Sequence, residues 1–535
     1  MEQDLFHKIS NRLLSLLKLE PFLLVALLLA LLSSGSGFAE DRPNVVLIVA
    51  DDLGWADVGY HGSPIHTPSI DRLAAEGITL ERFYVAPICS PTRAGLLTAR
   101  DPVRLGIAYD QIHPWYNAGL AKEEYLLSEA LRDDGYQTGI VGKWHLGHSQ
   151  QQQLPNSQGF DYFYGHLHTN TDFYTHRREN GHDLQFNGVS VKRDGEYLTH
   201  IEARQAQAFI ENRDKDRPFF LYVPFTAPHS PMQAPTKTIE KYKDLPRLGY
   251  QRVYAAMVDE MDMAIGSILD TLEDQDLTDN TIVVFMSDNG GSYYFGGNNK
   301  PLRGQKGQTF EGGIRVPAVV RWPGHLTDGT VINQTMSYLD LFPTIVSAIG
   351  IQAKLPNVID GQDMWPALDS GTSVKRKEPL FFVSEIPVPG LIWTAVIDGS
   401  IKLVQIVREG QTNTSLTSFL FDIEKDPNET NNLAATNIGE VARLAELMRQ
   451  RRALHPLAGT RGTLVPHPGW LPPVDWAGSV QSEQTLQPKW SNELPFSEQL
   501  IDQIGDRGVL VDEKTREELR KQSIQTQHEL EKDSN

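Results

Sequence analysis

The chain has 535 residues, 40% of them hydrophobic and 22% charged, which is enough for one large and one smaller soluble domain. Its formal net charge is −19. That acidic balance gives no support for nucleic-acid binding and argues against an extended basic groove for a long polyanion, so any cationic site must be local.

Residues 1–39 have the pattern of an export signal peptide. A basic first segment precedes the apolar stretch Phe22–Leu32, and Gly37-Phe38-Ala39 forms a plausible cleavage site. The apolar stretch is short for a bilayer span, which needs about 20 residues, although the long basic segment leaves an uncleaved anchor as an alternative. We therefore expect a periplasmic or secreted protein that is not embedded in a membrane. Its single cysteine leaves no internal disulfide.

Residues 40–375 alternate short apolar runs with helical patterns, which predicts a large, mostly parallel or mixed sheet sandwiched by helices. The first run, Val45–Ala50, is too short for a helix and suits a buried strand. A short helix is predicted from Pro68 to just before Gly77. The other strands predicted here are Gln137–Val141, Phe219–Val223, Ile282–Met286 and Val316–Arg321, and the other helices are Ser128–Asp134, Ile201–Asn212 and Tyr254–Glu273.

Residues 376–455 change to closely spaced strands with Gly, Asp and Asn turns, followed by one helix. The strands predicted are Leu380–Val383, Ile392–Ile397, Ile401–Ile406 and Phe419–Ile423, and the helix is Asn437–Arg452. This order predicts a small antiparallel sheet with a helix packed on it. Residues 456–535 form a partly irregular C-terminal extension to which the sequence assigns no role.

The only cysteine, Cys89, opens the segment Cys89-Ser90-Pro91-Thr92-Arg93. Pro91 after a Ser cap predicts a helix that begins at Pro91. Cys89 would then lie at the positive end of that helix, where an anion is stabilised. Arg93 would offer a permanent charge and a two-pronged donor to a tetrahedral oxyanion. A lone cysteine is more often an inert core residue, so the surrounding residues carry this interpretation.

Polar residues follow four of the predicted strands. Ligands of open α/β sheets bind beyond the carboxyl ends of the strands, so these residues should meet at one edge. In strand order they are Asp51 and Asp52, then Lys143 and His145, then His229, then Asp288 and Asn289. Each group alone could be a turn, a cap or a packing residue. Their convergence favours a functional site.

The oxygen-bearing members of this set predict a metal site. Asp51, Asp52, Asp288 and Asn289 offer hard oxygen ligands without the His and Cys ligands expected of zinc. Calcium is the predicted ion, with magnesium as the alternative.

The segment from Cys89 to Arg100 resembles the signature of the type I, formylglycine-dependent sulfatases. That signature is Cys-x-Pro-Ser/Thr-Arg, three variable residues, Leu, Thr/Ser, Gly/Ala and Arg, and each fixed position is filled here. Gly142–Gly147 and Leu302–Lys306 match the Gly-Lys-Trp-His-Leu-Gly and Leu-Arg-Gly-x-Lys motifs. The resemblance extends from about Pro43 to Leu433 and is greatest to arylsulfatase B, the N-acetylgalactosamine-4-sulfatase type.

This resemblance implies an alkaline phosphatase-like sulfatase fold and hydrolysis of a sulfate monoester, with a sulfated sugar like N-acetylgalactosamine-4-sulfate or an aryl sulfate as substrate. A sulfatase-maturing enzyme would oxidise Cys89 to Cα-formylglycine, whose hydrate attacks sulfur and forms a sulfated-enzyme intermediate. The implied calcium ligands are Asp51, Asp52, Asp288 and Asn289 together with residue 89. The implied catalytic residues are Cys89, Arg93, Lys143, His145, His229 and Lys306, and the implied substrate contacts are Lys143, His229, Lys306, Asn298 and Asn299.

The resemblance also assigns a task to each catalytic side chain. Arg93 would activate the nucleophile, and Lys143 and Lys306 would neutralise the sulfate oxygens. His229, with Lys306, would protonate the leaving oxygen. His145 would take the proton from the second hydroxyl, so that sulfate leaves.

Three other functions fit part of the pattern. A phosphomonoester or phosphonate monoester hydrolase of the same superfamily would share the fold, but we find one cluster of hard ligands and no second His-rich set, which favours sulfate. An unmodified thiol enzyme would use a thiolate at the helix end. A non-catalytic binder of sulfated glycans would use the same cationic pocket with Cys89 unconverted.

Overall fold

The computed structural model describes residues 42–245, 249–352, 355, 357–385, 391–409, 414–456, 466 and 469–480. The predicted signal peptide and most of the C-terminal extension lie outside these residues. Within these ranges, no helix has both the length and the apolar character needed to cross a bilayer.

The strands and helices of the described residues are as follows. The strands are β1 Asn44–Ala50, β2 Ile78–Leu80, β3 Phe83–Tyr84, β4 Gln137–Lys143, β5 Tyr162–His166, β6 Arg177–Arg178, β7 Gly181–His182, β8 Gln185–Phe186, β9 Val189–Ser190, β10 Phe219–Pro224, β11 Thr281–Ser287, β12 Ala318–Arg321, β13 Thr330–Ile332, β14 Met336–Ser337, β15 Leu380–Ser384, β16 Leu391–Asp398, β17 Ile401–Glu409 and β18 Thr414–Asp422. The helices are α1 Pro68–Ala75, α2 Cys89–Thr98, α3 Pro102–Leu105, α4 Leu127–Asp133, α5 Leu198–Glu211, α6 Thr236–Lys241, α7 Gly249–Asp274, α8 Glu311–Ile314, α9 Tyr338–Ala348, α10 Trp365–Asp369 and α11 Ile438–Arg452.

A ten-stranded mixed sheet forms the centre, in the order β13-β2-β12-β11-β1-β10-β4-β5-β8-β9. Its inner strands β11, β1, β10, β4 and β5 are parallel. The strand β1 is buried along its whole length, with Val45 opposite Phe220 on one side and Ile282 on the other. This placement explains its continuous apolar sequence, since both of its faces are covered.

Alternate residues of β1 supply two separate cores. Val45, Leu47 and Val49 pack with residues of α2, α4 and α9, whereas Val46, Ile48 and Ala50 pack with residues of α1, α5 and α7. The sheet is therefore sandwiched by helices, and the predicted fold class is confirmed.

The C-terminal sheet is antiparallel, in the order β15-β16-β17-β18. One face packs against Tyr84, Phe310 and Ile314 of the larger part, and the other face is covered by Leu444 and Met448 of α11. The predicted small sheet with its helix is confirmed.

A buried ion cluster joins this small sheet to the larger part. Lys402 Nζ, on β17, lies 2.8 Å from Glu311 Oε1 and 2.9 Å from Glu429 Oε1, and all three side chains are fully buried. Glu311 also accepts a hydrogen bond from the Tyr84 hydroxyl at 3.0 Å and lies 3.6 Å from Arg315. Burial opposes its ionisation, but Lys402 and Arg315 hold the pKa of Glu311 below its usual value. Burial and the neighbouring Glu311 raise the pKa of Glu429 from 4.5 to about 7, although Lys402 opposes the shift.

The raised pKa of Glu429 predicts a pH-dependent stability. The folded chain binds the proton of Glu429 more tightly than the unfolded chain does. Protonation of Glu429 therefore contributes fully to the free energy of unfolding below pH 4.5, and this contribution is lost as the pH rises to about 7. We expect Glu429→Gln to flatten the pH dependence of the free energy of unfolding across that window, measured by urea denaturation. The exposed Glu211→Gln is the control and should leave the slope unchanged. An unaltered slope in Glu429→Gln would show that Glu429 is ionised throughout.

Candidate active site

Asp51 and Asp52 follow β1, and the chain turns there towards the end of β11. Asp52 has φ 68°, a left-handed conformation that ends the strand abruptly, and its backbone N–H donates to Asp288 Oδ1 at 3.2 Å. The Asp51 backbone N–H donates to Ala227 O at 3.1 Å, which ties the same turn to the segment after β10. The carboxyl ends of three strands thus meet, as the topology predicts.

The helix α2 begins at Cys89, two residues before the predicted start at Pro91. The Ser90 hydroxyl, predicted as the cap, instead donates to His145 O at 3.0 Å and accepts from the Ile112 N–H at 3.1 Å. Pro91 is tolerated within the first turn because the nitrogens there need no helical partner. The predicted start is therefore wrong by two residues, while Cys89 still lies at the N-terminus of the helix.

Cys89 is fully buried, next to Asp51 and the other carboxylates that could bind a metal. Its Sγ and ligand atoms of Asp51 and His229 all lie within 4.8 Å of one another. Burial raises the pKa of the thiol, an effect only partly offset by Lys143 and Lys306. Because a thiolate nucleophile needs a lowered pKa, this environment does not favour the unmodified thiol enzyme.

Arg93 holds four of these segments together. Its Nε and one terminal nitrogen donate to Asp288 Oδ2 at 3.1 and 2.8 Å, and the other terminal nitrogen donates to Lys143 O at 3.0 Å. The guanidinium also lies 3.4 Å from Asp51 Oδ2. Burial opposes the charge, but Asp288 and Asp51 raise the pKa of Arg93, so it remains a cation at every accessible pH.

Lys143 contacts Asp51 Oδ2 directly, and both side chains are fully buried. The preceding Gly142 has φ 127°, and a Cβ there would lie 2.2 Å from Pro224 O. Only glycine allows β4 to pass so close to β10 at this point. The glycine of the motif thereby helps to place Lys143 at the strand end.

His229 and Lys306 converge on Asp52 from separate loops. Lys306 Nζ lies 2.6 Å and His229 Nε2 lies 3.6 Å from the Asp52 carboxylate. His229 Nδ1 lies 2.6 Å from Ser230 O, a contact that places the hydrogen on Nδ1 and leaves Nε2 towards the site. Burial and Lys306 lower the pKa of His229, with Asp52 opposing them.

His145 has φ 60°, a left-handed backbone conformation, so the chain does not continue the extended path of β4 at this residue. Its Nε2 lies 3.1 Å from Ile112 O, which fixes the hydrogen there and leaves Nδ1 buried without a hydrogen-bond partner. Burial, Lys143 and Arg93 lower the pKa of His145 well below its usual value. A neutral imidazole with a bare nitrogen can accept a proton.

The oxygen donors fit a hard divalent cation. Ligand oxygens of Asp51, Asp52 and Asp288 lie within 4.8 Å of one another. Asn289 uses its Nδ2 to donate to Asp52 Oδ1 at 2.7 Å and to Gly290 O at 3.0 Å. Asn289 Oδ1 and Asp51 Oδ1 are buried with no hydrogen-bond partner. Orphaned buried oxygens among carboxylates are what such a cation would satisfy.

The two predicted sugar contacts have different environments. Asn299 is fully buried, and its amide accepts from the Gly291 N–H at 2.9 Å and donates to Gly291 O at 2.8 Å. It therefore shapes the loop before Lys306, and its substrate contact stays a prediction. Asn298 is partly exposed, and its substrate contact stays a prediction.

Gln111 and Thr169 lie at the site but were not predicted. Gln111 Oε1 is 4.0 Å from Cys89 Sγ and accepts from the Thr169 hydroxyl at 3.2 Å. Both residues lie in loops without a recognisable motif, so the sequence offered no signal for them.

Part of the C-terminal extension packs beside these loops. The Trp476 ring lies 3.9 Å, centroid to centroid, from His168, the neighbour of Thr169. Its indole N–H donates to Arg178 O at 2.9 Å. Trp470 lies 5.9 Å from Trp115 in the loop that follows Gln111. Trp470 and Trp476 therefore pack against the loops that carry Gln111 and Thr169.

Residues 43–351 match the family model described as Sulfatase, and residues 305–453 match that of N-sulphoglucosamine sulphohydrolase, C-terminal. The chain belongs to the sulfatase family. The predicted family resemblance is confirmed.

Curated sulfatases resemble the chain over about two thirds of its length. Mouse arylsulfatase J is 35% identical over 68% of this chain and 63% of its own length, so the match spans less than two thirds of that protein. Human N-acetylgalactosamine-6-sulfatase is 38% identical over 65% of this chain and 69% of its own length.

A solved structure matches more of the chain. Ps i-CgsB in complex with k-i-k-neocarrahexaose superposes with a TM-score of 0.71 and 32% identity, covering 78% of this chain and 94% of that chain. The predicted alkaline phosphatase-like sulfatase fold agrees with this match.

Proposed function

We propose that this sulfatase-family protein hydrolyses a sulfate monoester of a sugar, with residue 89 as the nucleophile after oxidation of Cys89 to Cα-formylglycine. The observation that carries the proposal is the meeting of Cys89, Asp51 and His229 within 4.8 Å. Three cationic side chains, Arg93, Lys143 and Lys306, lie in contact with the carboxylates of the same cluster. Cationic side chains grouped around one reactive residue suit a sulfate ester.

The modified residue would supply the attacking hydroxyl, and a cation on the Asp51, Asp52, Asp288 and Asn289 oxygens would supply charge neutralisation. Arg93 fixes the Asp288 and Asp51 carboxylates through its hydrogen bonds. Lys143 and Lys306 bring positive charge to the sulfate oxygens. His229 would deliver a proton to the departing sugar oxygen from Nε2 once that nitrogen is protonated in addition to Nδ1, and His145 would accept one at its bare Nδ1.

His229→Gln tests the proton donor. We expect kcat/KM for a sugar sulfate to fall by roughly 10²–10⁴-fold, since a poor leaving oxygen needs protonation. The loss should be much smaller for p-nitrophenyl sulfate, whose leaving group is stable as an anion. His66→Gln, an exposed histidine, is the control. Equal losses on both substrates would remove His229 from this role.

Calcium is the proposed cation, with magnesium as the alternative. Carboxylate and amide oxygens without imidazole ligands favour both ions over zinc, and calcium accepts the less regular arrangement. We expect chelation to abolish sulfate release and added Ca²⁺ to restore it better than Mg²⁺. Restoration by Mg²⁺ alone would reverse the assignment.

The proposed substrate is a sulfated sugar resembling N-acetylgalactosamine-4-sulfate. One relative is named for the 6-sulfate of the same sugar, and Ps i-CgsB was solved in complex with k-i-k-neocarrahexaose. Released sulfate should be measured with a panel of mono- and disaccharides that differ in sugar and sulfate position, with aryl sulfate and aryl phosphate for reference. Preference for the phosphate would favour the phosphomonoester hydrolase alternative.

The proposed function also requires export of the chain and modification of Cys89. We propose that residues 1–39 direct the chain to the periplasm or outside the cell and that a sulfatase-maturing enzyme converts Cys89. N-terminal sequencing of protein from the exported fraction should begin near Glu40. Retention of the full-length chain in the cytoplasmic fraction would contradict the proposed export.

A further inference from the structure

A second cluster of ligand-type side chains lies on the hairpin β6–β7, outside the candidate active site. His176 immediately precedes β6, and His182 ends β7. Both residues are buried. The position of His176 is fixed by a hydrogen bond from the Asp183 N–H to His176 O at 2.8 Å, which brings the two histidines to the same end of the hairpin.

Each imidazole is anchored through one nitrogen only. His176 Nε2 lies 3.1 Å from Glu196 O, and His182 Nδ1 lies 3.0 Å from the Ser190 hydroxyl. The opposite nitrogens, His176 Nδ1 and His182 Nε2, are buried and have no hydrogen-bond partner. A buried nitrogen without a partner is unfavourable, and here two of them occur on one hairpin.

Asp194 completes the cluster. One ring nitrogen from each histidine and one carboxylate oxygen of Asp194 all lie within 4.8 Å of one another. Asp194 is exposed, so its side chain can rotate towards the two rings. A metal-bound histidine usually bonds its other nitrogen to a carbonyl, a hydroxyl or a carboxylate, and both rings have such a bond.

We propose that His176, His182 and Asp194 bind a divalent transition-metal ion, with zinc as the ion of choice and water completing the coordination. Two imidazoles and one carboxylate suit zinc, cobalt or nickel and do not suit calcium, which takes oxygen ligands. Bond lengths of about 2.0–2.2 Å require the three side chains to close slightly on the ion. The site shares no residue with the oxygen cluster at Asp51.

The expected consequence of binding is local order. His182 N donates to Val474 O at 2.9 Å, and Trp476 N donates to His182 O at 2.9 Å. An ion at the hairpin would therefore fix the loop that bears Asp194 to residues 474–476, which pair with His182 through an isolated bridge. The metal acts as a structural crosslink at this place.

Cobalt is the probe, because its visible absorption reports ligand type. The full chain is stripped with a chelator and titrated with Co²⁺, then with Zn²⁺ as competitor. We expect one Co²⁺ with a four-coordinate, nitrogen-ligated spectrum, displaced by Zn²⁺, and a rise in thermal midpoint on binding. His176→Gln and His182→Gln should each weaken binding at least 100-fold, and Ser190→Ala, which frees His182 Nδ1, by roughly 10–100-fold.

His66→Gln is the matched control and should bind Co²⁺ like the natural sequence, because His66 is exposed and remote in the chain. Asp288→Asn should also keep the nitrogen-ligated spectrum, which separates this site from the oxygen cluster. Circular dichroism shows whether each variant is folded. An unchanged Co²⁺ spectrum in folded His176→Gln or His182→Gln would overturn the proposal, as would the absence of that spectrum in the natural sequence.

Discussion

Cys89→Ala is expected to abolish sulfate release while the chain still folds. The side chain at 89 lies with Asp51 and His229 within 4.8 Å. Alanine removes one buried sulfur from the first turn of α2 and leaves the Arg93 contacts to Asp288 in place. The measurement is released sulfate from purified protein of unchanged circular dichroism. Full activity in this variant would end the proposed mechanism.

Cys89→Ser refines the same test. A serine hydroxyl can be sulfated but has no second hydroxyl from which sulfate could be expelled. We therefore expect at most one turnover per chain, with a sulfuryl group retained on residue 89. Continuous turnover by this variant would show that the second hydroxyl is unnecessary.

Peptide mass spectrometry of protein from its native host is the companion measurement. Conversion to formylglycine replaces the sulfur of Cys89 by oxygen and removes two hydrogens. An unconverted thiol in fully active protein would contradict the proposal, whereas an unconverted thiol in inactive protein that binds sulfated sugars would favour the binder alternative.

Lys402→Met is expected to produce the largest loss of stability. It leaves Glu311 and Glu429 buried without the cation that both contact at 2.8 and 2.9 Å. Removing one partner of a buried ion cluster costs about 3–5 kcal/mol, because the remaining charge stays desolvated. The measurement is the free energy of unfolding from urea denaturation, followed by fluorescence.

Two comparisons isolate this effect. Lys425→Met removes a lysine that is exposed and paired only with Asp422, so stability should change little. Adding Glu311→Gln and Glu429→Gln to Lys402→Met removes the unpaired charges and should restore much of the loss. If the triple variant is no more stable than Lys402→Met, packing rather than charge explains the effect.

The sequence predicted the elements that carry most of the site. Buried parallel strands such as β1 and β11 have continuous apolar runs, so their ends could be located and the polar residues after them grouped. The long helix α7 was predicted as Tyr254–Glu273, and the structure extends it to Gly249–Asp274. Ends of elements depend on hydrogen bonds to distant residues, which the pattern does not contain.

Other elements differ from the prediction for separate reasons. The helix α9, Tyr338–Ala348, contains Pro343 and was not predicted, although the sequence holds a local signal for its start: the Asp340 carboxylate caps it by accepting from the Ser337 N–H at 2.7 Å. The strand β18 begins at Thr414, five residues before the predicted start, because pairing with β17 orders a polar run. The burial of Asn299 and its hydrogen bonds to Gly291 O and Gly304 O depend on how the loop folds, which the pattern does not contain.

Because the sulfur of Cys89 is completely buried, its modification has to precede folding of the chain around it. A thiol with no accessible surface cannot be reached by another protein once the first turn of α2 has packed. An enzyme that modifies Cys89 must therefore act on the unfolded chain, before folding makes the thiol inaccessible. Under the proposed mechanism, a chain that folds before Cys89 is modified would stay inactive, so the yield of active protein would be decided during biogenesis.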